Sequence, residues 1–173
     1  MLITEDYRKI NAVLHGKAGY GIGGHRWAEK VADIANRIGA RTILDYGCGK
    51  ATLADKLNSF TVSNYDPAIE RYSGRPDPAD LVVCLDVLEH IEPECLDDVL
   101  ADIAALTLKQ AFLVIATRPA RKVLPDGRNA HLILESAGWW TLKLLEHFDI
   151  SIPPKIDQEV GEVVFHVSRE MAK

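Results

Sequence analysis

Two rhythms of hydrophobic positions alternate along the chain. Near the start, Tyr7, Ile10, Val13 and Leu14 recur at helical spacing, with Thr4 placed as an N-cap and Glu5 and Asp6 in the first turn. Trp27, Val31, Ile34 and Ile38 repeat at helical steps and are followed by Gly39 as a C′ residue, which predicts a second helix. Short apolar runs then predict strands over about 41–46, 60–65, 80–85 and 111–117. Helices are expected over about 51–58, after Pro93 with Leu96, Val99, Leu100, Ile103 and Leu106 on one face, and over about 139–148. Two last strands, about 149–156 and 161–168, read as a hairpin across Gly161. Strands alternating with helices imply an α/β fold: a doubly wound, mostly parallel Rossmann-like sheet covered on both faces, with a C-terminal antiparallel hairpin.

Composition narrows the class. A chain of 173 residues that is 47% hydrophobic suggests one domain with a real core. The net charge of −5 provides no global basic field for nucleic acid or anionic membrane. The opening residues lack the pattern of a signal peptide, and no apolar run approaches the roughly 20 residues of a membrane span. Cys48, Cys84 and Cys95 are odd in number and show no metal-clip spacing, so free thiols in a reducing cytoplasm are expected, with no metal called for.

The chemistry concentrates where a strand meets a glycine turn. Thr42 to Tyr46 runs into Gly47, Cys48 and Gly49, and Asp66 closes the next strand nineteen positions after Gly47. A nucleoside site needs bare backbone where the ligand approaches and a carboxylate at the neighbouring strand tip for the ribose hydroxyls. Asp66 before Pro67 also suits a simple Asx turn. The segment from Gly16 to Gly24 holds five glycines. It reads either as a flexible linker or as a lid to which Tyr20, with His25 just beyond, contributes side chains.

Ile43 to Gly49, Tyr65-Asp66-Pro67 and Asp80 to His90 together resemble the class I S-adenosylmethionine-dependent methyltransferases, over about residues 41–118. Asp45, Gly47 and Gly49 match the first motif of that family, and Ala51 replaces its last glycine. The resemblance implies S-adenosyl-L-methionine as donor and S-adenosyl-L-homocysteine as product. It implies that Gly47 and Gly49 admit the cofactor, that Asp45 faces the methionine ammonium, and that Asp66 takes both ribose hydroxyls. Leu85 and Asp86 would lie beside the methionine portion. The family usually has a further strand and helix where only residues 67–79 stand here, so the sheet is expected to be trimmed between the second and fourth strand positions. One domain, 1–173, would comprise N-terminal helices and a Gly-rich lid (1–40), a cofactor half (41–118), and an acceptor loop, helix and hairpin (119–173).

Two loops carry candidate acceptor-side groups. In the first, His90 titrates near neutrality and serves either as general base or as a positioning residue. The second, Thr117 to His131, gathers Arg118, Arg121, Lys122 and Arg128 with a turn and a histidine. It is either a solvated connection or a grip for a phosphate or carboxylate, in which Arg118, Arg121 and Arg128 hold the anion and His131 takes the acceptor proton. A basic cluster in an acidic chain favours a small anionic or polyhydroxy acceptor, with oxygen as the favoured atom.

Rival readings remain. A nicotinamide-dependent oxidoreductase shares the turn and the ribose acid, but the third glycine used with a pyrophosphate is missing. A base-methylating enzyme is disfavoured because Asp86-Val87-Leu88-Glu89 is unlike the Pro-Pro-aromatic signature and no Pro-Cys nucleophile is present. A non-catalytic S-adenosylmethionine-binding subunit predicts binding without turnover.

Overall fold

A computed structural model describes residues 1–17 and 19–169. Ala18, inside the Gly-rich segment, and residues 170–173 lie outside the described residues. The elements in order are α1 (Glu5–His15), α2 (Ala28–Arg37), β1 (Thr42–Tyr46), β2 (Thr61–Tyr65), β3 (Ala79–Leu85), α3 (Leu96–Leu106), β4 (Thr107–Ala116), α4 (Ala137–Leu144), β5 (Phe148–Asp149), β6 (Lys155–Asp157) and β7 (Glu162–Arg169). The sheet order is β2-β1-β3-β4-β7-β5, with β6 also on β7. The first four strands are parallel, and β7 joins β4 antiparallel. This is the mixed, mostly parallel α/β sheet that the hydrophobic pattern implies.

Alternation along the strands sets the layers. Ile43, Leu81 and Val83 face one side and pack with Val31, Ile34 and Ala35 of α2. Leu44, Val82 and Cys84 face the other and pack with Val99, Leu100 and Ile103 of α3 and with Trp140 and Leu144 of α4. Trp140 is fully buried and its neighbour Trp139 exposed, as the helical spacing requires.

The sheet ends abruptly at β2, because residues 67–78 form only a short 3₁₀ turn at Glu70–Tyr72 before β3 begins. The missing strand and helix of the resembled family are thus missing in space as well.

Three elements differ from expectation. The helix expected over about 51–58 is a run of turns with a 3₁₀ turn at Ala54–Lys56. Ala51 there adopts the left-handed conformation, with φ of 57°, which an α-helix cannot include. The helix at 139–148 begins earlier, at Ala137, where the Ser136 hydroxyl accepts the Trp139 N–H, and it stops at Leu144. The strand expected over 149–156 splits into β5 and β6, both along the free edge of β7. Pro153 and Pro154 stand between them and have no N–H to donate to a ladder.

Helix α1 has a different task. Thr4 caps it through the Tyr7 N–H. Its Tyr7 and Leu14 pack with Leu124 and Ala130 of the long loop after β4. The helix therefore lies across the carboxyl ends of the strands and holds that loop against them.

Candidate active site

The carboxyl ends of β1, β2 and β3 enclose a cavity of about 260 Å³, roofed by α1 and the Gly-rich segment. Gly47 and Gly49 bend the chain away from β1 with φ of 79° and 53°. The N–H groups of Gly47 and Cys48 both donate to the Tyr65 carbonyl, which fastens the turn to the end of β2. A Cβ on Gly47 would stand 2.5 Å from a Val87 methyl. A Cβ on Gly49 would stand 2.7 Å from the Gly21 carbonyl oxygen. Both glycines are thus demanded by internal packing and by backbone conformation as well as by any ligand.

Asp66 is buried at the tip of β2. Its two oxygens accept the N–H of Gly49 at 3.2 Å and of Ala68 at 3.0 Å. The Asx-turn reading and the ligand reading are therefore compatible: each carboxylate oxygen retains acceptor capacity, and the residue lines the cavity beside Pro67. Asp45, near the end of β1, is almost fully buried in the same wall. Burial, and then the neighbouring Asp66, push its carboxyl up to about 7. A cation placed there would be strongly favoured.

Leu85 and Asp86 reach the cavity from β3. Asp86 sits at φ of 55°, an unusual conformation for a residue other than glycine. Its carboxylate pairs with Arg26 at 2.7 Å, and Arg26 also reaches Glu162 at 3.1 Å.

The Gly-rich segment folds over the glycine turn. Lys50 N–H donates to the Gly21 carbonyl at 2.8 Å, and the Thr52 hydroxyl donates to the Ile22 carbonyl at 3.1 Å. Tyr20 lines the cavity with its ring edge-on to His15, 4.9 Å between centroids. His15 Nε2 lies 3.6 Å from Asp66 Oδ2, and burial draws the imidazole below its usual range. His25 is elsewhere. It is exposed, its ring nitrogen contacts the Ile22 carbonyl, and it is not in the cavity wall.

A second cleft, about 680 Å³, opens alongside. Arg118, Arg121, Lys122 and His131 line it with Tyr20 and His90, and these last two residues also line the first cavity. Asn129 fixes the loop: its side chain exchanges two hydrogen bonds with the backbone of Ala120 and accepts the His131 N–H. The Arg118 guanidinium donates to the Val160 carbonyl and lies 3.9 Å from Glu162. Lys122 rests over the Tyr20 ring at 4.3 Å. Arg128 departs from its expected place. It pairs with Asp126 two residues away, lies over Tyr7, and lines neither cavity.

The histidines meet where the two spaces join. The rings of His90 and His131 stand edge to face, 4.7 Å between centroids. His90 Nδ1 contacts the Ala130 carbonyl at 2.6 Å, and His131 Nδ1 contacts the Arg118 carbonyl at 2.5 Å. Burial draws both below the usual imidazole range, His90 to about 4 with help from His131. Behind them Glu89 is fully buried. Its Oε1 accepts the Ala116 N–H at 3.0 Å, and burial, then Asp86, push its carboxyl up to about 8.

Glu89, His15, Arg26 and Asn129 were not among the residues the sequence pointed to. Only Glu89 carried a signal, its place beside His90 after an apolar strand. The others reach the site through contacts between segments far apart in sequence.

The chain belongs to a methyltransferase family: residues 22–155 match the model described as "Methyltransferase domain". A comparison with curated proteins finds no match. Among solved structures, the fold is similar to magnesium protoporphyrin IX methyltransferase from Synechocystis PCC 6803 with bound S-adenosylhomocysteine, at TM-score 0.61 and 16% identity, over 95% of this chain and 97% of that one. It is similar to a Burkholderia thailandensis 1,6-didemethyltoxoflavin N1-methyltransferase at TM-score 0.60 and 16% identity, covering 98% and 91%. The mitomycin 7-O-methyltransferase MmcR matches at TM-score 0.56 and 16% identity over 85% of this chain, which spans 55% of that protein. The resemblance to class I S-adenosylmethionine-dependent methyltransferases is thus supported by both family and fold. No helix among the described residues is long and apolar enough to cross a membrane.

Proposed function

We propose that this chain transfers a methyl group from S-adenosylmethionine to a small anionic or polyhydroxy acceptor, at oxygen, as a single cytoplasmic domain. The observation that carries the reading is the shared wall. Tyr20 and His90 line both the cavity at the strand ends, with its buried Asp45 and Asp66, and the cleft holding Arg118, Arg121 and Lys122.

The residues fit such a donor. Asp66 would accept from the ribose hydroxyls, bonds stronger for a charged acceptor than for an amide. Asp45, its carboxyl raised in the absence of a counter-charge, would receive the methionine ammonium. Bound there, the donor supplies a methyl already activated by a positive sulfur. The chain's own task is to align the acceptor, exclude water and accommodate a proton. Tyr20 and the Gly-rich segment would close over the donor. Arg121 and Lys122 would hold the acceptor's anionic group, and the His90–His131 pair stands where the two substrates meet. The neighbours include both O- and N-methyltransferases. Here the cationic lining suits an anion better than an amine.

The test is a methylation screen with isotopically labelled donor against phosphorylated sugars, nucleotides, polyols and amines. Label on an oxygen of an anionic or polyhydroxy compound is expected. Label confined to amine nitrogen, or none with donor binding intact, would overturn the acceptor assignment.

A further inference from the structure

We infer that Glu89, His90 and His131 form a binding site for a divalent transition-metal ion at the junction of the two cavities. One donor atom from each residue lies within 4.8 Å of the other two. The three come from two segments, the turn after β3 and the end of the basic loop, so the fold itself assembles the set. Bonds of about 2.1 Å to zinc place tetrahedral donors about 3.4 Å apart, so the three donors would draw together by up to about 1.4 Å on binding.

Two further observations point to a cation. First, each imidazole has its Nδ1 against a backbone carbonyl, Ala130 for His90 and Arg118 for His131. A carbonyl can only accept, so Nδ1 carries the proton and Nε2 keeps its lone pair. This is the outer-shell arrangement that orients metal-binding histidines. Second, Glu89 Oε2 is buried and has no hydrogen-bond partner among the described residues, although Oε1 is satisfied by Ala116. A buried oxygen of this kind asks for a partner. Asp86 and Glu162 add negative potential at Glu89. The Arg118 guanidinium is directed to Val160 and Glu162.

Two nitrogens and one oxygen suit zinc, cobalt, manganese or iron(II) rather than the all-oxygen preference of calcium or magnesium. Three protein ligands leave positions open, and His90 faces both cavities. The role of the ion, though not its binding, rests on the methyltransferase reading. An acceptor hydroxyl coordinated there would release its proton to solvent. Its oxygen would then form the new O–C bond as the S–C bond breaks, leaving a methyl ether and neutral S-adenosylhomocysteine.

The test uses the full chain, treated with chelator and titrated with Co²⁺ by visible absorption and with Zn²⁺ by equilibrium dialysis. One ion per chain is expected, with cobalt bands of four- or five-coordinate intensity. Glu89→Gln retains an acceptor for the Ala116 N–H, and His131→Ala lies at the loop end. Each should weaken metal affinity at least tenfold while leaving circular dichroism and S-adenosylhomocysteine affinity nearly unchanged. Absence of saturable uptake, or uptake unaltered in whichever of the two variants folds, would overturn the site. Stoichiometric uptake sensitive to these variants, in a chain that binds no S-adenosylhomocysteine, would support the metal site and refute the donor reading instead.

Discussion

Asp45 makes cofactor affinity depend on pH in a calculable way. In the ligand-free chain its carboxyl titrates at about 7, raised by burial and by Asp66. The methionine ammonium binds the ionised form, so binding must expel the proton that is present below that pH. The sign is fixed: affinity for S-adenosylhomocysteine should be constant above about pH 7.5 and fall as pH drops through 7. The ionised fraction is roughly one half at pH 7 and one eleventh at pH 6, so affinity should fall about fivefold over that unit, or about 1 kcal/mol, and approach tenfold per unit below pH 6. Burial draws His15, which lies beside Asp66, below its usual range, and a His15→Gln variant separates any contribution of that imidazole from that of Asp45. Calorimetry from pH 5.5 to 7.5, in buffers of differing ionisation enthalpy, should show release of about half a proton at pH 7. Asp45→Asn should weaken binding at pH 7.5 and flatten the profile. Flat affinity in the wild type with no proton release would refute the placement of the ammonium at Asp45.

Other outcomes follow from the same geometry. Asp66→Asn keeps an oxygen for a backbone N–H but loses the charge facing the ribose; affinity should fall about ten- to a hundredfold in calorimetry, from charge-assisted bonds worth roughly 1.5–3 kcal/mol. Unchanged affinity would return Asp66 to the Asx turn alone. Ala51→Gly relieves a left-handed alanine worth roughly 1–2 kcal/mol and gives back about 0.4–1 kcal/mol to unfolded-chain entropy. The net gain of up to about 1.6 kcal/mol should raise the thermal melt by up to about 6 °C, and a lower melting temperature would contradict the strain. Arg121→Ala should raise KM for an anionic acceptor about tenfold, the loss of one charge-assisted contact, while Arg128→Ala, already paired with Asp126, should change turnover by less than about twofold. Equal losses in steady-state kinetics would show that Arg128 leaves its partner to bind substrate.

Much of this fold was legible because its signals are local. Leu81–Leu85 of β3 and Ala111–Ala116 of β4 are continuous apolar runs, and the glycine turn and Asp66 mark the ends of β1 and β2. Signals weakened wherever backbone conformation or a distant partner decides. Apolar spacing cannot reveal that Ala51 is left-handed, so a run of turns resembled a helix. The prolines at 153 and 154 were visible, but their effect appears only once β7 offers an edge to break against. In the site, Asp66 was readable from its position at a strand tip, Asp45 and Asp86 from the motifs of the resembled family, and Tyr20 from the Gly-rich segment, and all four line the cavity. Arg128 was misplaced because clustering in sequence does not show which cation a nearby aspartate claims. His15 and Arg26 meet Asp66 and Asp86 across about 50 and 60 positions, a distance that pattern reading does not bridge.

The donor's seat at the ends of β1 and β2 determines every role assigned to the site residues. A crystal structure with S-adenosylhomocysteine tests it directly. The ribose hydroxyls should lie within hydrogen-bond distance of Asp66, the ammonium beside Asp45, and the sulfur should face the His90–His131 junction. A ligand bound outside this cavity, or one whose ribose is held by groups other than Asp66, would contradict it.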